Sequence, residues 1–231
     1  MMALGAAGMV CSVGLGASAA CAAMRAGIAG FADLPYWDRD NLPVVGAAVP
    51  GLSLDLQFGS RLVEMLAQTL HDCLSGSPET PWQRVPLLVG LAESGRPGGG
   101  GDLAEGVIAQ VQERLGVKFH PEHSRGIAKG HTAGLEGLRV ARELLQATDA
   151  PSCLVCAVDS YINASALFWL DQHWRLKREG HTDGVIPGEA AAAIYVGRRA
   201  PSSTGIQVEV VGLGFDQEKA PIPGFTHEPG Q

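Results

Sequence analysis

The sequence has no cluster of positive charge: 17 lysines and arginines face 24 aspartates and glutamates, giving a formal charge of −7. Such a chain has no electrostatic reason to approach phosphate backbones or anionic membranes, so nucleic acid is not an expected partner. Aromatic residues are scarce at 6%, while alanine and glycine abound, which is the profile of a closely packed α/β protein. Past the N-terminus no apolar run reaches the roughly 20 residues needed to span a bilayer. The N-terminal stretch is apolar up to Arg25 and contains "ASA", which resembles a signal-peptidase site. No Lys or Arg precedes it, however, and Gly5, Gly8, Gly14 and Gly16 interrupt a helical export segment. A soluble cytoplasmic protein of one domain is expected.

Cysteine is limited to five residues, an odd number lying mostly in apolar runs, so buried reduced thiols are expected and a disulfide framework is not. Cys153 and Cys156 spell C-x-x-C within a run of strand character. Neighbours on a strand point to opposite faces, which argues against a redox or zinc pair. No cysteine occurs between Cys73 and Cys153. No metal site or cofactor is implied.

Strands and helices alternate along the chain. Met9 to Val13 reads as a strand, followed by a glycine turn and an Ala-rich helix to Arg25. Gly14-x-Gly16-x-x-Ala19 fits a dinucleotide fingerprint, but Asp33, at the distance of a ribose-binding acid, lies in loop-like sequence; a tight strand-to-helix turn is the better reading. Residues 34–51 are expected to be irregular, with a short strand from Pro43 to Val49. Helical spacing marks Leu62, Leu66, Leu70 and Cys73, and again Leu103, Val107, Val111 and Leu115. Val85–Leu91, Leu154–Val158, Ala190–Val196 and Val208–Leu213 read as strands. The glycine run at 95–101 lacks the lysine and hydroxyl of a P-loop and is read as a flexible connection. Phe168, Trp169 and Trp174 read as core or interface, with ligand stacking as the other use. "VGLG" occurs at Val13 and again at Val211, without an internal repeat around it.

The segment "GIAKGHTAGLEGLRVARELL", Gly126 to Leu145, reads as strand, sharp turn and helix. A turn of this kind lifts the side chain behind it to the positive end of a helix, a place to present a nucleophile or bind an anion. That side chain is His131.

In order and spacing these elements resemble the N-terminal half of a β-ketoacyl synthase, a condensing enzyme of the thiolase superfamily, from about Val10 to Phe215. Three signatures carry the resemblance: "VCSVGLGAS", the unit "GIAKGHTAGLEGLRVARELLQATDAPSCLVCAVDSY", and "DGVIPGEAAAAIYV". The last is similar to the family's D-G-F-x-x-G-E-G, matched by Asp183, Gly184, Gly188 and Glu189, with Ala190 where a final glycine is expected. The resemblance implies a thiolase-like α/β fold, a mostly parallel mixed sheet with helices on both faces. In the family's T-A-C-S-S-S-L the cysteine accepts the acyl group. Counting back from "CAVDSY" places His131 opposite that cysteine and Thr132 opposite the first serine. Cys21, in "SAACAAM", imitates the motif in the wrong strand-helix unit. The family draws its catalytic His pair, or His plus Lys, from a C-terminal half that is absent from this chain. His120, His123, His173, His181 and His227 lie in loop-like sequence and follow no family motif.

A condensing enzyme holds its acyl chain on a thiolate, as a thioester. An acyl-imidazole hydrolyses too readily for that purpose. His131 is therefore read first as a polar plug in a protein without condensing activity that serves as a binding or assembly partner, a homodimer or heterodimer with a second chain and a partner for acyl carrier protein or acyl-CoA. Dimers of the family pair a strand beside the nucleophile turn, here Ser124–Lys129. The other reading is an acyltransferase or decarboxylase acting on acyl thioesters, with His131 as base and backbone N–H groups as an oxyanion site. A nucleotide-binding module built on Gly14–Ala19 is the third.

Overall fold

The computed structural model describes residues 2–75, 81–99, 103–178, 183–198, 208–210 and 214. The described strands are β1 (Met2–Cys11), β2 (Ala32–Trp37), β3 (Pro43–Gly46), β4 (Leu87–Leu91), β5 (Arg125–Ala128), β6 (Ser152–Ser160), β7 (Glu189–Gly197) and β8 (Val208–Val210). The helices are α1 (Ala17–Arg25), α2 (Phe58–Ser75), α3 (Leu103–Leu115), α4 (Ala133–Ala147) and α5 (Ala164–Gln172). Six strands form one sheet in the order β5-β4-β6-β7-β1-β8. β1, β4, β5 and β6 run in one direction, and β7 and β8 run against them. The parallel strands need crossovers, and the helices that supply them cover both faces of the sheet.

Alternation along β6 divides the core. Cys153 and Val155 join Leu88, Ile127, Val140, Ala141 and Leu145 beneath α4. Leu154, Cys156 and Val158 join Leu66, Leu70, Val107 and Val111 beneath α2 and α3. The two cysteines of the C-x-x-C thus point to opposite faces, and all five cysteines are free thiols. Cys21 is the exposed one. Helix α4 approaches closely because Gly137 meets the sheet: a Cβ there would stand 2.7 Å from Cγ1 of Val155.

Residues 34–51 are more ordered than their sequence suggests, for β2 and β3 form an antiparallel hairpin. Pro35 disguised it. A proline cannot donate to a ladder, but a two-stranded ribbon tolerates it, and the register shifts between Asp33 and Trp37. The hairpin packs on α5 through Leu34, Val44, Ile162, Leu167, Leu170 and Leu176. The Trp174 ring lies 4.0 Å from the Arg39 guanidinium and 4.4 Å from that of Arg178. Both arginines also reach the Asp171 carboxylate. Among the described residues no helix is long and apolar enough to cross a membrane. The second "VGLG" lies outside the described residues apart from Gly214.

One charged pair crosses the core. Arg61 on α2 and Glu189 at the start of β7 have side chains 2% and 0% exposed. The guanidinium Nε donates to Glu189 Oε2 at 2.9 Å, and Nη2 donates to Oε1. Nη1 donates to the carbonyl of Leu52 at 2.8 Å and to that of Ser53. The carboxylate further accepts the Val49 N–H at 2.8 Å and the Ser160 hydroxyl at 3.0 Å. Burying two charges is costly, and here the cost is offset because nearly every donor and lone pair finds a partner. Removing one partner strands the other.

Glu189→Gln or Arg61→Met should each lower the free energy of unfolding by about 3–5 kcal/mol, whereas the double change Arg61→Met/Glu189→Leu should recover much of that loss. Urea denaturation measures both. A second expectation concerns alkali. Burial pushes the Cys73 thiol up to about 11 and the Cys153 thiol up to about 12, from an ordinary 9.0. Above pH 9 the unfolded chain has lost these protons and the native chain still holds them, so stability falls as pH rises. Cys153→Ala should flatten the slope of unfolding free energy between pH 9 and pH 11.

Candidate functional site

The corner after β5 is built by three residues. Lys129 leaves the strand, and Gly130 takes a φ of 58°, a left-handed conformation that side chains resist. A single 3-10 turn over Gly130–Thr132 then enters α4. The Ala133 N–H bonds to the Gly130 carbonyl, and the Thr132 hydroxyl donates to the Lys129 carbonyl at 3.1 Å. Thr132 therefore closes the turn. A Cβ on Gly130 would meet the Glu93 carboxylate, at 2.3 Å from Oε2.

His131 stands on this corner, two residues ahead of α4, with its side chain exposed. Among the described residues it makes no hydrogen bond or ion pair. It lines two cavities. One, of about 580 Å³, has polar and aromatic walls that include Glu93, Arg96, Tyr161, Trp169 and Arg175. The other, of about 520 Å³, is apolar, with Met9, Leu91, Leu135 and Ala190 among its walls. His131 does not fill a disused pocket, as a plug would. Helix α4 begins two residues beyond the imidazole, which lines both spaces.

The polar cavity owes its shape to the glycine run. Instead of a loose connection, residues 95–99 form a turn held by Arg96, whose side chain is only 7% exposed. Its Nη1 donates to Asp159 Oδ2 at 2.6 Å and its Nη2 to Oδ1, while Tyr161 offers a ring face 4.4 Å away. These contacts raise the guanidinium above its usual pKa despite the opposing effect of burial. Asn163 ties the run further, donating to the Gly98 carbonyl at 3.1 Å and capping α5 through the Ala166 N–H. The Arg96 Nε is buried without a partner among the described residues. Asp159 and Tyr161 belong to the "CAVDSY" that resembles the family, but Arg96 carries no signal beyond being the one cation inside a glycine run.

The other expected residues are scattered. Glu189 is the buried ion-pair partner described above, Gly184 lies against the backbone of Leu176 and Lys177, and Gly188 bridges to Ala47. Asp183 is exposed. His120 and His123 stack on each other 4.4 Å apart, and His173 stacks on Trp169 at 4.4 Å; His181 and His227 lie outside the described residues. Phe168 is 67% exposed and Trp169 38%, so neither is core. At the glycine turn before α1, Asp72 of α2 already occupies the helix end, accepting the Ala17 N–H at 2.8 Å and the Met9 N–H at 3.2 Å. A diphosphate would meet a carboxylate there, and Asp33 belongs to the separate hairpin. Among the described residues no three metal-ligating side chains converge.

Sequence reasoning did not anticipate Cys11. It ends β1 and lines the apolar cavity opposite His131. Strand β7 separates β1 from β6, which sets the Cys11 backbone about 10 Å, two strand spacings, from β6. No thiol stands on the corner.

No family model and no curated protein matches the sequence. The structure does have relatives. A ketosynthase domain from Streptomyces albus JA3453 oxazolomycin biosynthesis is 14% identical, with a TM-score of 0.67 over 86% of this chain and 43% of that one. A ketosynthase from module 6 of the bacillaene synthase of Bacillus subtilis 168, 14% identical, gives 0.62 over 85% and 40%. The ishigamide ketosynthase/chain length factor, 17% identical, gives 0.61 over 85% and 62%. The chain has the α/β fold shared by ketosynthases and chain length factors of the thiolase superfamily, and it spans about two-fifths to three-fifths of the length of these relatives.

His131→Cys tests the corner. Iodoacetamide should modify Cys21 in the native protein and spare Cys73 and Cys153, which burial holds protonated. The introduced thiol should react faster than Cys21, since a helix N-terminus favours a thiolate. Alkylation no faster than that of Cys21 would place residue 131 away from the helix end.

Proposed function

We propose that the chain is a ketosynthase-like protein without condensing activity that acts as a binding or assembly partner, pairing with a second chain and meeting acyl carrier protein or acyl-CoA. One observation carries this reading: the corner where the resemblance places the acyl-accepting sulfur presents the imidazole of His131, and all five thiols lie elsewhere. A base is normally oriented by a further group. His131 has none among the described residues.

Two further findings support the reading. The strand that the resemblance assigns to dimerisation, β5, is an edge strand with no partner on its outer side among the described residues. Several structures with this fold are themselves complexes: a ketosynthase with its chain length factor from Xenorhabdus doucetiae, and an acyl carrier protein with a ketosynthase bound to the hexaketide.

A second reading, an acyltransferase or decarboxylase of acyl thioesters with His131 as base, draws on the meeting of a polar and an apolar cavity at that ring. The polar walls suit a thioester's carrier arm and the apolar walls its acyl chain. The two readings separate in one experiment. Incubation with acetyl-CoA, followed by intact-mass measurement, should leave the chain unmodified, and malonyl-CoA should decarboxylate no faster with the native chain than with His131→Ala. A persistent acyl adduct on Cys11, or decarboxylation lost in His131→Ala, would overturn the assembly reading.

A further inference from the structure

The polar cavity beside His131 holds charges that the rest of the fold does not use. Two sets of segments line its space of about 580 Å³: the turn at 93–97 with His131, and α5 with the segments at 175 and 185–187. Of the two guanidinium groups in its walls, that of Arg96 is already matched, since both of its Nη atoms donate to Asp159. Glu93 and Arg175 are exposed, and among the described residues neither side chain has a hydrogen bond or an ion pair. The cavity therefore presents one unmatched carboxylate and one unmatched cation that do not bridge each other.

Both charges are set in place by the backbone. Glu93 follows β4 by two residues, and its carboxylate occupies the space that a Cβ on Gly130 would fill, so the left-handed glycine of the corner also admits this acid. Arg175 is held on either side: its N–H donates to the Leu170 carbonyl at 2.7 Å, and its carbonyl accepts the Val185 N–H at 2.7 Å. The remaining walls are largely apolar, with Trp169, Leu170, Val185 and Pro187 among them. Trp169 and Val185 are 38% and 49% exposed, which leaves their surface open to a ligand.

This pattern sorts ligands by sign. A lone anion is drawn to Arg175 and repelled by Glu93, and a lone cation meets the reverse. A neutral polar chain desolvates both groups and matches neither. A molecule with an ammonium and a carboxylate matches both, and a bulky apolar body covers the apolar walls. The imidazole of His131 can donate to the one group or accept from the other.

We infer that the polar cavity binds a zwitterion with a bulky apolar body, an amino acid of the phenylalanine or leucine kind, with its carboxylate at Arg175 and its ammonium at Glu93. The cavity volume falls in the range of small-molecule sites, about 300–1,000 Å³. Binding is non-covalent and needs no acyl transfer, so it goes beyond the pairing role and does not depend on it. It also gives these walls a different occupant from the carrier arm of the second reading.

Isothermal titration calorimetry at neutral pH tests this by comparing L-phenylalanine with two molecules that each lack one of its charges, hydrocinnamate and phenethylamine. L-phenylalanine should bind the native chain at one site, and each single-charge molecule at least about tenfold more weakly. Two variants cross the preference. Glu93→Gln should bind L-phenylalanine about tenfold more weakly and hydrocinnamate no more weakly than the native chain does; Arg175→Gln should lose the same for L-phenylalanine and nothing for phenethylamine. Both side chains are exposed, and far-UV circular dichroism verifies that the fold persists. Equal binding of L-phenylalanine and hydrocinnamate by the native chain would overturn the inference. So would a variant that weakens all three ligands alike, or the absence of heat with L-phenylalanine, L-leucine and L-tryptophan at millimolar concentration. A persistent acyl adduct would strike the assembly reading and leave this inference standing.

Discussion

A single buried ion pair organises the half of the molecule where the cavities lie. Arg61 and Glu189 join α2 to the first residue of β7, and through their remaining hydrogen bonds they fix Val49, Leu52, Ser53 and Ser160. Ser160 ends β6, and its neighbour Asp159 holds Arg96. The chain of contacts thus runs from a charge in the core to the turn at 95–99 and from there to the polar wall beside His131. An apolar pair of the same shape would satisfy the core equally well, but it would not dictate where three separate backbone segments must stop.

The corner itself follows a different physics. Gly130 takes a left-handed conformation, Thr132 ties its hydroxyl to the carbonyl of Lys129, and Gly137 lets α4 settle on β6. This geometry favours an anion at residue 131, yet the sequence supplies an imidazole. A thiolate there would gain from the helix end and keep an acyl group as a thioester; an imidazole gains little from the helix and surrenders an acyl group to water. Under the proposed reading the corner is the scaffold of a nucleophile site, and the side chain changes what that scaffold can do.

Much of this is legible in the sequence because it depends on periodicity and glycine. The alternation through Cys153–Val158, the stripes of α2 and α3, and the glycine before His131 each allow one local structure, and their order by itself resembles a known fold. The remainder depends on side chains that meet across more than 60 residues. Arg61 is visible in the sequence only as a charge set in the apolar stripe that continues through Met65 and Thr69, and nothing local to Glu189 names its partner. Arg96 reads as part of a flexible run because glycine dominates locally, while the forces that order the run come from Asp159, Tyr161 and Asn163. Pro35 hides a strand for the same reason: its effect depends on whether the neighbouring position must receive a hydrogen bond, which only the tertiary structure decides.

The claim at the centre is that the corner at residue 131 binds without storing an acyl group. Thiol release measures this directly, including any acyl-imidazole too short-lived to isolate. Mixing the chain with a tenfold excess of an acyl-pantetheine thioester should release thiol at the rate of the thioester in buffer, without a burst. A burst approaching one equivalent of thiol per chain, or a sustained release faster than in buffer that is lost in His131→Ala, would contradict the account.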